Sequence, residues 1–378
     1  MKLILLLVLS TLFIVGCTIV ENNEDPNNTT NESAGEDHSA KQDSEREALE
    51  EIVNEVSVDV VHIDDELVVN VAQLMNTVEG TYEFDEVNRT LVMEVSGREF
   101  YLVYEVPVLE VDGEYLPTDE VAFIIQEEEE EVIPYVTVGF LTQGLETEGT
   151  LIEEENTMTF LWEEEVVQAW SPRGEEHFDL YAMSVEDMID YLSFLERPIE
   201  SAEVSTVESH LPGAPRPYRN GTHEGIDWYT YGTDVEITTE TPIYAMGPGV
   251  VVRVDHNFAE YESAEVRNLD LQLSASMGLT PEYILDRLRG KQVWVQYENG
   301  VMNRFAHLHE IPDNLEIGQE VDASTIIGYV GNTGTSYSVD NQPDLGLHLH
   351  QDLLIYGQLF WKPYSPTEVQ QILRTIWD

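Results

Sequence analysis

Hydrophobic and polar positions divide the chain into successive textures. Residues 3–15 form an apolar run broken only by Ser10 and Thr11, after the cationic start Met1-Lys2. The run is shorter than the ~20 residues a membrane-spanning helix needs, so residues 1–16 read as an export leader. Residues 17–55 are polar, acidic and poor in aromatics. Such a stretch cannot bury enough apolar surface to order itself and reads as a disordered tether. From residue 56 short alternating runs begin. Residues 62–69 predict a hairpin, 71–75 a short helix, and 81–84 and 90–95 two half-buried strands joined across residues 85–88. The pattern then recurs as a strand–Asp-Gly turn–strand at 108–117, a second short helix near 136–145, and a strand at 157–162. A helical connector is predicted over 164–205. Ser184 is placed to cap a helix with Glu186 and Asp187 in its first turn, and Pro198 ends it.

Residues 206–378 are dominated by strand-like runs at 243–245, 249–254, 292–297, 326–330 and 347–350, punctuated by Gly and Pro. Residues 257–290 differ. There 269–273 and 281–288 carry helical spacing, with Thr280-Pro281 as cap and first helical position. The expected fold class is therefore mainly β with some α. A small α+β domain at 56–163 precedes a C-terminal antiparallel β-sheet domain at 206–378, interrupted by a helical insertion at 257–290.

Charge narrows the classes of partner. Lys and Arg number 17 and Asp and Glu 74, a formal net charge of −57, while 42% of residues are hydrophobic. The apolar fraction is sufficient for folded cores. The charge argues against nucleic acid, because phosphate contacts need cationic patches. It argues equally against electrostatic docking on anionic lipid. The acidic run Glu127 to Glu131 reads as a solvated loop between strands.

Two short signatures carry candidate chemistry: His223-Glu-Gly-Ile-Asp227 and His348-Leu-His350. Both suit zinc, which favours four-coordinate sites built from imidazole, carboxylate and thiolate. Two His and one Asp leave a fourth position for water, the catalytic pattern. The only cysteine, Cys17, lies in the leader region, which excludes a Cys-rich structural site. His-x-His suits a strand, where residues i and i+2 share a face.

With these strands in place, the second domain resembles the lysostaphin/LytM-type zinc metallopeptidases, which cut peptide bonds of bacterial peptidoglycan. The resemblance rests on six pieces in order: Asn220-Gly-Thr-His-Glu-Gly-Ile-Asp227, Pro242-Ile-Tyr-Ala245 leading to Gly247-Pro-Gly-Val-Val251, Phe305-Ala-His-Leu308, Gly318-Gln-Glu-Val321, Ile327-Gly-Tyr-Val-Gly-Asn-Thr-Gly334, and His348-Leu-His350. It implies a duplicated hybrid motif type of sheet and one Zn2+ per chain held by His223, Asp227 and His350. His307 and His348 would be the catalytic histidines. Tyr218 is a candidate oxyanion donor and His309 a rim residue. Asp352, on the strand face of His350, reads as a solvated strand-end carboxylate, the alternative being a hydrogen-bonding partner behind that histidine; His38, His62, His177, His210 and His256 read as ordinary histidines. The insertion exceeds what the family's compact hairpin region needs and would form a wall or lid of the substrate groove.

Two further resemblances bear on context. Ile14-Val-Gly-Cys17 resembles a bacterial lipobox, which implies lipidation of Cys17. The implied location is the outer face of the cytoplasmic membrane, facing the cell wall. Residues 56–163 resemble the copper amine oxidase N-terminal-like domain, which implies neither copper nor oxidase chemistry. The implied function is a zinc-dependent endopeptidase acting on peptidoglycan peptides. The alternative is a non-hydrolytic module that binds cell wall or an envelope partner. In a third arrangement the first domain or connector blocks the groove.

Overall fold

A computed structural model describes residues 54–63, 65–128, 131–162 and 178–378. The leader, Cys17, the tether up to residue 53, His38, His177 and the start of the connector lie outside the described residues; Asn54 and Glu55, read as the end of the tether, instead begin a strand paired with Leu161 and Trp162. Among the described residues no helix is long and apolar enough to cross a membrane. The fold is mainly β, with antiparallel sheets and few helices.

Residues 54–162 build two sheets of six and five strands around one core. Leu74, Met93, Phe100, Phe123 and Phe140 are fully buried there, and the Phe100 and Phe140 rings meet edge-on at 5.2 Å. The predicted hairpin forms with Ile63 opposite Glu66, and the helix Val71–Thr77 is capped by the Asn70 side chain. The second predicted helix does not form as read. Residues 131–137 are a strand paired on both sides, and only Phe140–Gly144 turns, as a single π-helical turn. Alternation at Val132, Pro134 and Val136 outweighs the helical spacing that overlaps it. The acidic run is likewise not a loop throughout: Glu127 and Glu128 end one strand and Glu131 begins the next.

The C-terminal sheet sets the strands in the order Ile226–Tyr229, His348–Ile355, Val301–Ala306, Val293–Tyr297, Gly249–Val254 and Glu320–Val321, all antiparallel. Alternation along His348–Ile355 gives the sheet two unlike faces. Leu349, Leu353 and Ile355 enter the main core with Phe305, Val295 and Val251. Two amphipathic helices, Val185–Leu192 and Pro366–Trp377, cover that face, and Trp377 packs on Trp228 with ring centroids 5.8 Å apart. The first helix has the predicted Ser184 cap, completed by Asp187 as a capping box, but it ends at Leu192, well before Pro198. A capping box between Ser365 and Glu368 starts the second.

The opposite face carries His348, His350, Asp352 and Leu354. Its Leu354 end is covered by residues 54–162: Val103, Val106, Val108 and Tyr115 pack with Trp294, Met302, Leu354 and Ile284. Its histidine end opens into a cleft.

The insertion forms two helices, Ala264–Met277 and Glu282–Arg289. Pro281, not Thr280, stands at the cap of the second. The Thr280 hydroxyl instead accepts from buried Arg219 at 2.8 Å.

Candidate metal centre

Register brings the ligand set together. Asp227 lies directly opposite His350 across neighbouring strands, and Tyr229 opposite His348. His223 reaches the same point from a short hairpin turn whose amide donates to Ala214 O at 2.7 Å. Arg219 fixes that turn through Thr222 O and the Glu224 carboxylate, both at 2.6 Å.

The three ligand atoms form a small triangle. His223 Nε2 lies 3.0 Å from Asp227 Oδ1 and 3.1 Å from His350 Nδ1, and His350 Nδ1 lies 2.9 Å from Asp227 Oδ1. All three residues are buried. The outer nitrogens are already committed. His223 Nδ1–H donates to Leu211 O at 3.0 Å, and His350 Nε2–H donates to Asp352 Oδ1 at 2.7 Å. A carbonyl and a carboxylate only accept, so both inward nitrogens present lone pairs towards an anionic oxygen. Three lone pairs converging within about 3 Å repel one another unless a cation sits among them. The donor set fits zinc.

In the metal-free protein the same groups lean on protons instead. Burial alone would raise Asp227, but His223 and then His350 and His348 hold it well below the usual carboxylate range. Burial alone would lower His350, yet Asp352 and Asp227 bring it up to about 9, so in the metal-free protein a proton takes the place of the cation.

His307 and His348 flank this triangle. His307 follows the strand Val301–Ala306 in a left-handed conformation, φ 62°. Its Nδ1–H donates to Thr333 O at 2.7 Å. His348 Nδ1–H donates to Gly346 O at 2.8 Å, and its ring stacks flat on Tyr229 at 4.2 Å. In both residues the locked Nδ1–H leaves Nε2 as the acceptor, and the two rings lie 4.6 Å apart. Burial, then neighbouring histidines, pushes His307 well below its ordinary value; burial brings His348 down to about 4. Both are neutral bases at neutral pH.

Asp352 is not a solvated strand end. It is fully buried inside an eight-residue strand, and its second oxygen accepts from Arg289 Nε at 2.8 Å. Arg304 lies across the strand pair, 4.0 Å away, and donates to Tyr115 Oη at 3.0 Å. A chain of contacts thus runs from residues 54–162 to His350.

The cleft over the triangle is walled on one side by the insertion, through Arg267, Leu271, Leu285 and Leu288. Among the described residues, none of 54–162 lines it. Tyr218, 57% exposed, stands on its rim, whereas His309 is exposed and does not line it. His62 and His256 also lie outside it. His210, read as ordinary, is in the cleft wall, its ring centroid 4.8 Å from that of Tyr229. Arg216 was not singled out in the sequence, yet it donates to Asp227 Oδ2 at 3.2 Å. Nothing in Pro215-Arg-Pro217 signals that role. Tyr229 was readable, two residues beyond Asp227 on the same strand face.

Residues 274–360 match the family model described as Peptidase family M23. The matched segment contains His307, His348 and His350 but not His223 or Asp227. No curated protein sequence matches the chain. Among solved structures, the chain is similar to a SpoIIQ–SpoIIIAH pore-forming complex (16% identity, 37% of this chain and 60% of that one, TM-score 0.22). It is also similar to the catalytic domain of the prophage-encoded M23 protein EnpA from Enterococcus faecalis (19%, 44% and 92%, 0.26). A third is the catalytic domain of the antimicrobial peptidase lysostaphin from Staphylococcus simulans (17%, 48% and 97%, 0.24). At these scores the structural likenesses carry no functional argument.

Proposed function

We propose that the chain is a zinc-dependent endopeptidase that hydrolyses peptide bonds of bacterial peptidoglycan. The observation that carries this reading is the convergence of three buried lone-pair donors, His223 Nε2, Asp227 Oδ1 and His350 Nδ1, at the floor of a cleft flanked by two neutral histidines. The Peptidase family M23 match over residues 274–360 supports it.

Zinc held by these residues would polarise a water and lower its pKa towards ~7. The protein supplies the remaining chemistry. His307 and His348 each present a bare Nε2, fixed by a carbonyl behind the ring. One can accept the proton of the attacking water and return it to the leaving amine. Once protonated, either can hydrogen-bond the developing oxyanion, a role that Tyr218 on the rim can share. Tyr229 keeps the His348 ring from turning away.

The deciding assay is incubation of the zinc-loaded chain with purified wall sacculi. Released muropeptides are expected from wild type and not from His223→Ala. Identical chromatograms with and without the substitution would refute hydrolysis, and retained metal without turnover would favour a binding module.

We also propose that Cys17 is lipidated and tethers the protein outside the cytoplasmic membrane. The Gly16-Cys17 junction behind an apolar run supports this. Equal membrane recovery of wild type and Cys17→Ala would overturn it.

A further inference from the structure

We propose that Arg267, on the first helix of the insertion, recognises a carboxylate of the substrate close to the bond that is cut. The inference rests on the proposed endopeptidase reading and narrows its substrate to carboxylate-bearing peptides rather than uncharged ones.

The chain carries a formal charge of −57, yet its cleft is lined by four arginines, Arg216, Arg219, Arg267 and Arg289, against two carboxylates, Glu224 and Asp227. Three of the four are committed. Arg216 pairs with Asp227, Arg219 with Glu224, and Arg289 with Asp352, at 3.2, 2.6 and 2.8 Å. Arg267 alone forms no ion pair among the described residues. Its Nε donates to Gly334 O at 2.9 Å, and its two Nη groups have no partner there. The carboxylate that shares this turn, Glu260, is engaged by backbone amides: Oε2 accepts from Gly334 N and Oε1 from Tyr261 N, both at 2.9 Å.

Position gives the unpaired guanidinium its meaning. Arg267 holds the carbonyl of Gly334, and His307 holds the carbonyl of the preceding residue, Thr333. The two side chains are therefore anchored to consecutive peptide groups of one turn. A guanidinium fixed through Nε still offers a planar pair of Nη donors, the geometry that takes a carboxylate at two points. Leu271, Leu285 and Leu288 in the same wall reduce local solvation and strengthen such a contact. The surrounding negative field repels anionic peptides, so a local cation is what lets this cleft accept one.

The test uses the full zinc-loaded chain and two probes: a stem-type peptide with free carboxylates, and the same peptide with them converted to primary amides. Wild type is expected to show kcat/KM roughly 10–50-fold higher for the carboxylate form, in line with a hydrogen-bonded charged pair. Arg267→Gln should bring that ratio near one, mainly through KM, and Arg267→Lys should restore part of it. Arg374→Gln removes the same charge from the C-terminal helix, outside the cleft, and should keep the wild-type ratio. Zinc content and melting temperature are checked for each variant. A wild-type ratio near one, or an unchanged ratio in Arg267→Gln, overturns the proposal. If wild type cuts neither peptide yet releases muropeptides from sacculi, the carboxylate proposal is overturned; if it also releases none, the endopeptidase reading fails, and calorimetric binding of the same peptides decides. A carboxylate preference lost in Arg267→Gln sustains the proposal, and one that persists overturns it.

Discussion

Asp352→Asn is the substitution that most directly probes how the metal site is held. The change is nearly isosteric, so packing is preserved, while the charge is lost and one of the two accepting oxygens becomes an NH2 donor facing His350 Nε2–H or Arg289 Nε–H. Asp352 is fully buried and accepts from His350 Nε2 at 2.7 Å and Arg289 Nε at 2.8 Å, with Arg304 at 4.0 Å. Burial alone would raise its pKa; Arg289, then His350 and Arg304, hold it well below the usual carboxylate range. A carboxylate lowered in this way stabilises the fold above its unfolded pKa and loses that contribution only as pH falls through its folded pKa. The effect is therefore fully present at neutral pH. Removing one member of a buried charge cluster costs about 3–5 kcal/mol. For a large domain that corresponds to a fall in Tm of roughly 6–20 °C. Loss of a hydrogen-bonded carboxylate behind a ligand histidine weakens metal binding by about 10–100-fold. Competition titration with a zinc chelator reads the affinity, and calorimetric melting with and without zinc reads the stability. Zinc affinity within about twofold of wild type would refute the claim that Asp352 positions His350. An unchanged Tm would refute its role as counter-ion to the two arginines.

Two more outcomes follow from the site. His307→Ala and His348→Ala are each expected to retain one zinc per chain while losing about 10²–10⁴-fold in turnover, the usual share of a positioned acid–base group; metal analysis beside a peptide-cleavage assay separates them from ligand variants. In the metal-free protein His350 is raised to about 9, so zinc must displace its proton at pH 7. Apparent zinc affinity should then rise roughly tenfold per pH unit up to about 9 and flatten above. About one proton should be released on binding at pH 7–8, read by calorimetry in buffers of different ionisation enthalpy; a pH-independent affinity would count against it. The sign for folding is opposite to that of Asp352: this contribution is complete below the unfolded histidine pKa and is lost as pH rises through about 9.

The strands of the C-terminal sheet were legible because their period is two, and the same period alone puts His348 and His350 on one face. The first short helix, the Ser184 cap and the insertion helices were legible from local spacing and cap chemistry. What could not be read depended on neighbours distant in sequence. Val136 and Thr137, read as the start of a helix, instead close the strand Glu131–Thr137, and pairing of that strand on both sides decided it. Thr280 has the composition of a cap, yet a buried arginine 61 positions away takes its hydroxyl. Asp352 looked solvated because its neighbours in sequence say nothing of Arg289 and Arg304 beneath it. The helix Pro366–Trp377 is absent from the sequence reading, although Ser365-Pro-Thr-Glu368 carries the capping-box signature that would have found it.

One strand face does two jobs. Along His348–Ile355 the first two outward positions, His348 and His350, serve the cleft, and the last, Leu354, is covered by Val103, Val106, Val108 and Tyr115 from residues 54–162. Asp352 lies between and touches both sides, His350 directly and Tyr115 through Arg304. Residues 54–162 therefore touch the surroundings of the site from the blind end of the sheet rather than from over the cleft, which none of their described members lines. That placement argues against a groove-blocking role for them. It also changes what deletion would mean. Without residues 54–162, Trp294, Met302 and Leu354 lose their cover, and each buried apolar side chain of that size is worth about 1.5–3 kcal/mol. Water would reach Arg304 and Asp352, weakening the charge cluster that orients His350. Lower activity of residues 206–378 alone would thus report a loosened metal ligand, and zinc affinity, not turnover, is the quantity that separates this from loss of a substrate contact.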